Sequence, residues 1–122
     1  TGSMLFGAGV SLDGNRLAVG APSVSEGRVY LFSFDDAAFG QPTLEARIGL
    51  GFTGGKNLSI ASLDAADSFG ASVSLKGNRL AVGATGDDGD VNLRTDTGAV
   101  HLFSFADSSF AAPTLVATVG AN

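Results

Sequence analysis

Phe6-Gly7-Ala8-Gly9-Val10-Ser11-Leu12-Asp13-Gly14-Asn15-Arg16-Leu17-Ala18-Val19-Gly20-Ala21 returns later in the same chain as Phe69-Gly70-Ala71-Ser72-Val73-Ser74-Leu75-Lys76-Gly77-Asn78-Arg79-Leu80-Ala81-Val82-Gly83-Ala84. The offset is 63 residues (69 − 6). A period of that size makes each copy one supersecondary unit, too small to bury its apolar faces alone. The likeness extends further in both copies. Gly27-Arg28-Val29-Tyr30-Leu31-Phe32-Ser33-Phe34 aligns with Gly98-Ala99-Val100-His101-Leu102-Phe103-Ser104-Phe105, now at an offset of 71 (98 − 27). The second copy therefore carries an insertion of 8 residues (71 − 63) between Ala84 and Gly98. Pro42 to Gly49 then matches Pro113 to Gly120.

These matches divide the chain into a first copy at residues 6–49, a connection at 50–67 and a second copy at 68–122, whose acidic insertion occupies 86–97. Residues 1–5 do not match the residues before Phe69, and their Gly2-Ser3-Met4 run reads as an expression remnant and lead-in. The repeats read as cut from a longer array.

Within one copy the apolar residues follow the strand period. Val10 and Leu12 alternate with small or polar residues, Gly14-Asn15 supplies a tight turn, and Leu17 and Val19 alternate again. Gly and Asn tolerate the positive φ that a hairpin turn demands, and Gly77-Asn78 repeats the device. A third strand runs from Arg28 to Phe34, with Val29 and Leu31 on one face and Tyr30, Phe32 and Phe34 on the other. A strand apolar on both faces is covered on both faces. A fourth, shorter strand follows Pro42, from Leu44 to Ile48. No stretch keeps a helical period over three turns.

The predicted fold is all-β: two four-stranded antiparallel β-propeller blades, completed by oligomerisation or forming part of a larger propeller. At about 25 cal/mol per Å² of apolar surface, two blade faces left in water forfeit several kcal/mol, comparable with a typical net stability. Self-association through the blade faces, as a homo-oligomer, is the expected remedy, with closed rings the usual solution.

The pattern Phe-Gly-x-x-Val-Ser-Leu, Arg-Leu-Ala-Val-Gly-Ala and Gly-x-Val-x-Leu-Phe resembles the FG-GAP repeat, which builds the β-propeller of integrin α-subunits and of many bacterial surface proteins. Phe6-Gly7 and Phe69-Gly70 carry the first half of that name; Gly20-Ala21-Pro22 carries the second, which in the later copy becomes Gly83-Ala84-Thr85. The resemblance covers nearly all of the chain after Leu5. It implies a propeller blade, a secreted or cell-surface setting and an adhesion or recognition role. Many members hold Ca²⁺ in an Asp-rich loop between their first two strands. Here that connection is only the tight turn at Gly14-Asn15 or Gly77-Asn78, so that site does not carry over.

Composition narrows the function. The formal net charge is −5, with few Lys and Arg, which argues against binding a nucleic-acid backbone or an anionic membrane surface. No run is apolar for long enough to span a bilayer as a helix. The chain has no Cys, which removes disulfides and thiolate chemistry and leaves the compartment open.

The inserted loop offers the one candidate metal site. Asp88, Asp90, Asn92 and Asp96 fall at alternating positions of a calcium-loop pattern, and the carbonyl of Arg94 would supply a further oxygen. Hard oxygen ligands at this spacing suit Ca²⁺. Against that, Leu93 stands where such loops need Gly, and the competing reading is a solvated acidic loop. His101 replaces Tyr30 and reads as a packing residue, since no partner base or nucleophile accompanies it. Arg16 and Arg79 follow the hairpin turn in both copies and suit a recurring surface or inter-blade contact to a carboxylate or backbone carbonyl. Gly51 to Lys56 faintly echoes a phosphate loop but lacks the following Ser or Thr. Asp35, Asp36 and Asp107 read as turn starters.

No triad, metal-ligand His cluster or cofactor loop points to an enzyme. The expected function is a non-enzymatic repeat module for extracellular protein–protein or cell-surface recognition. A purely structural spacer or self-assembling scaffold, and a glycan-binding propeller, are the alternatives. A single Tyr and no Trp leave little aromatic surface for stacking sugars.

Overall fold

The computed structural model describes residues 5–22, 27–60, 63, 67–85 and 98–120. They form nine strands: β1 (Gly9–Asp13), β2 (Arg16–Ala21), β3 (Arg28–Ser33), β4 (Thr43–Gly49), β5 (Leu58–Ser59), β6 (Phe69–Lys76), β7 (Arg79–Ala84), β8 (Ala99–Ser104) and β9 (Thr114–Gly120). Two sheets result, β1-β2-β3-β4-β5 and β6-β7-β8-β9. Each of the first four strands in either sheet pairs antiparallel with its sequence neighbour.

The hairpin turns sit where expected, with Gly14 and Gly77 at the same φ of 59°. Both copies also carry a bulge at the same place, between Leu31 and Phe32 in β3 and between Leu102 and Phe103 in β8. Asp36 and Asp107 start matching turns: the Oδ1 of Asp36 accepts from the amides of Ala38 and Gly40, and that of Asp107 from Ser109 and Ala111. Leu5 and Ser68, at φ 54° and 59°, begin both copies in the same left-handed conformation. The repeated backbone thus starts one residue before Phe6.

One element exceeds the expected four strands. The connection contributes β5, which pairs parallel with β4 through Ile48↔Leu58 and Gly49↔Ser59. The Oδ1 of Asn57 fixes it by accepting the Arg47 amide at 2.8 Å. Ile60 and Leu63 then turn inward and are buried in the common core. Periodicity did not reveal so short a strand, because two residues carry no period.

The sheets stack face to face. The inner face of the first presents Ala18, Val29, Leu31, Ala46 and Ile48; the inner face of the second presents Phe69, Leu75, Leu80, Val82 and Phe103. Small and aliphatic residues on one side meet larger and aromatic ones on the other, which lets the layers interdigitate at interior density.

Candidate functional site

The junction between the sheets is the feature that the repeated sequence builds most carefully. Its centre is Phe69-Gly70. Gly27 forms a parallel bridge with Phe69, and Gly20 lies beneath Gly70. A Cβ on Gly20 would fall 2.8 Å from the carbonyl carbon of Gly70; one on Gly27 would fall 2.8 Å from the Phe69 amide nitrogen. Gly in the middle of β2 is therefore a requirement of close backbone approach. Gly9 serves the same end beside Ser72, whose Cα would lie 3.0 Å from an added Cβ.

Polar groups line the rim. Ser11 Oγ accepts the Leu75 amide at 2.9 Å, and Asp13 Oδ2 accepts the Gly77 amide at 2.7 Å. That backbone N–H, helped by the Arg16 guanidinium and by Lys76, holds the Asp13 carboxyl below its usual range. Arg16 pairs with Asp13 at 2.8 Å and lies over the Phe110 ring of the opposite sheet, 5.3 Å from its centroid. Lys56 donates to Glu45 at 2.7 Å and, across the junction, to the Ser109 carbonyl at 2.8 Å. The Lys56 ammonium and the Ser33 hydroxyl together lower the Glu45 pKa. Amides of Ser109 and Ala111 do the same for Asp107.

Burial differs sharply between equivalent residues. Phe69 is 0% exposed, whereas Phe6 is 56% exposed; Leu75 is 5% exposed, whereas Leu12 is 53% exposed. The first sheet leaves an outer face bearing Phe6, Val10 and Leu12. The second leaves the opposite kind of face, with Val100, Val116 and Val119 exposed and a hollow of about 420 Å³ lined by Ala81, Leu102 and Val116 among others.

The residues singled out in sequence divide into three groups. Asp88, Asp90, Asn92, Arg94 and Asp96, the candidate Ca²⁺ ligands, lie outside the described residues. Among the described residues no group of three or more His, Asp or Glu could hold a metal ion. His101 is buried, with Nδ1 3.2 Å from Thr118 Oγ1 and its ring 5.5 Å from that of Phe69. Arg16 pairs with a carboxylate of its own hairpin, Asp13, and its contact across the junction is with the Phe110 ring. Ser11, Asp13 and Lys56 are junction residues that pattern reading passed over. The strand-interior Gly20 was the available signal, since Gly inside a strand marks close approach of another backbone.

A repeated four-stranded unit that seats its Phe-Gly corner on the Gly-Ala strand of the unit before it is a β-sheet repeat module, consistent with propeller blades. Residues 62–103, most of the second copy's first three strands, match the family model of the FG-GAP repeat. No curated protein matches the chain.

Proposed function

We propose that the chain is a non-enzymatic β-propeller repeat module for extracellular protein–protein or cell-surface recognition. The observation that carries this reading is the FG-GAP match at residues 62–103, joined to a first copy of the same strand plan. FG-GAP repeats are typical of secreted and surface proteins, which supports that setting here. The rim groups favour a packing role over catalysis: each carboxylate with a lowered pKa is already held, Asp13 by the Gly77 amide and Arg16, Glu45 by Lys56 and Ser33, and Asp107 by the amides of its own turn. The test is binding of the labelled chain to arrayed extracellular proteins and arrayed glycans. Saturable binding to a protein supports recognition, binding confined to glycans favours the lectin alternative, and no binding to either array rejects both.

A second reading, a structural repeat or self-assembling scaffold, is favoured by the two open apolar faces. In that case the chain associates with itself and with nothing on either array.

A further inference from the structure

The two open faces are the register counterparts of the two faces already joined inside the chain. We propose that a second copy of this chain docks head to tail, seating its Phe6-Gly7 corner on Gly83 and Gly98 of the first. This rests on the reading of the chain as a propeller repeat module and names one partner for it.

The receiving cradle is preformed. Gly98 holds φ 80°, close to the 88° of Gly27, and among the described residues a Cβ there would meet only Thr85 and Ala84 of its own copy, at 3.4 Å or more. Gly83 occupies the register place of Gly20, paired with Val100 as Gly20 is with Val29. The incoming corner is preformed as well: Gly7 holds φ 98° and Gly70 φ 100°. Preorganisation on both sides lowers the ordering cost of association.

Side chains particular to this chain single out a second copy as the occupant. At the internal junction, Arg16 covers Phe110; at the external one, Arg79 would meet Phe39, which shares the left-handed backbone of Phe110 (φ 63° and 66°) and is 53% exposed. Ser74 takes the place of Ser11 and would accept the Leu12 amide. Asp13 attracts Lys76 across the internal junction. At the external one the two exchange places, so that Lys76 of one copy faces Asp13 of the next and opposite charges still meet. Two substitutions resist: Lys76 is a donor and cannot accept the Gly14 amide as Asp13 accepts that of Gly77, and Ser72 stands where the first copy has Gly9, its Oγ covering Gly83. That hydroxyl must swing aside before the incoming Gly7 carbonyl can enter. Because the two faces differ, the contact is heterologous and propagates from copy to copy.

Light scattering on the 122-residue chain, from low micromolar to near-millimolar concentration, tests this. The weight-average mass is expected to rise above the 12.1 kDa of one chain. Gly83→Ala should hold it at one chain with the unfolding midpoint little changed, since its Cβ would displace only the Ser72 side chain in the isolated protein. Val119→Asp is an independent block, placing a carboxylate on an exposed residue of the receiving face. Ser72→Gly should lower the concentration of half-association. A mass of 12.1 kDa at every concentration overturns the proposal, as does an assembly that both blocking variants leave intact. A monomeric chain that still binds an arrayed surface protein would overturn only this proposal and leave the recognition reading standing.

Discussion

Gly20 and Gly70 meet backbone to backbone: a Cβ on Gly20 would lie 3.1 Å from the Cα of Gly70, and one on Gly70 would lie 2.7 Å from the Arg28 carbonyl oxygen. Both neighbours are main-chain atoms in paired strands, so neither yields cheaply. Gly20→Ala should therefore destabilise the chain by about 3 kcal/mol. Gly83→Ala, its counterpart on the open face, should stay within about 1 kcal/mol. Urea unfolding of the two variants at low protein concentration measures the difference.

The same asymmetry governs the aromatic corner. Phe69 is fully buried against His101 and Phe103, with ring centroids at 5.5 and 6.1 Å. Truncating it leaves a cavity that the two sheets cannot close, and Phe69→Ala should cost about 3–5 kcal/mol. Phe6 touches Tyr30 and Phe32 but keeps more than half its surface in water. Phe6→Ala should cost about 1 kcal/mol or less in the dilute chain. Equal losses in urea unfolding would mean that the second copy does not use the first as its cover.

Acid should destabilise the fold. The pKa of Asp13 is depressed chiefly by the Gly77 amide, that of Asp107 by the Ser109 and Ala111 amides, and that of Glu45 by Lys56 and Ser33. A folded-state pKa below the unfolded one stabilises the fold at pH values above the unfolded value. That contribution declines as pH falls from there through the folded pKa. The ordinary values are 3.8 for Asp and 4.5 for Glu. The unfolding temperature should therefore stay level near neutrality and begin to fall as pH drops below about 4.5. Combining Asp13→Asn, Glu45→Gln and Asp107→Asn should flatten that decline; an unchanged slope would show that these three carboxylates do not cause it.

The strand plan was legible because each copy states it twice, once as alternation at Val10, Leu12, Leu17 and Val19 and again as turn chemistry at Gly14-Asn15. Repetition removed the ambiguity that a single short alternating run leaves. The antiparallel pairing of β1 with β2 and of β6 with β7 followed, since strands joined by a two-residue hairpin turn can pair no other way. What escaped was everything decided between the sheets. Ser11 and Asp13 look like ordinary polar positions on a half-exposed strand. Only stacking turns them into acceptors for the Leu75 and Gly77 amides. Lys56 sits in a Gly-rich stretch resembling a loop, and its reach to the Ser109 carbonyl depends on β5, too short to leave a pattern. Gly20 was visible as part of a motif, but its meaning as a landing place for Gly70 needed the second sheet in position.

Amide hydrogen exchange at residue resolution tests most directly whether each repeat seats its first strand on the repeat before it. In the dilute chain the amides of Leu75 and Gly77, which donate across the junction, should exchange slowly. Leu12 and Gly14, their counterparts on the uncovered edge of β1, should exchange fast. Equal rates at the two pairs of positions would contradict the junction described above.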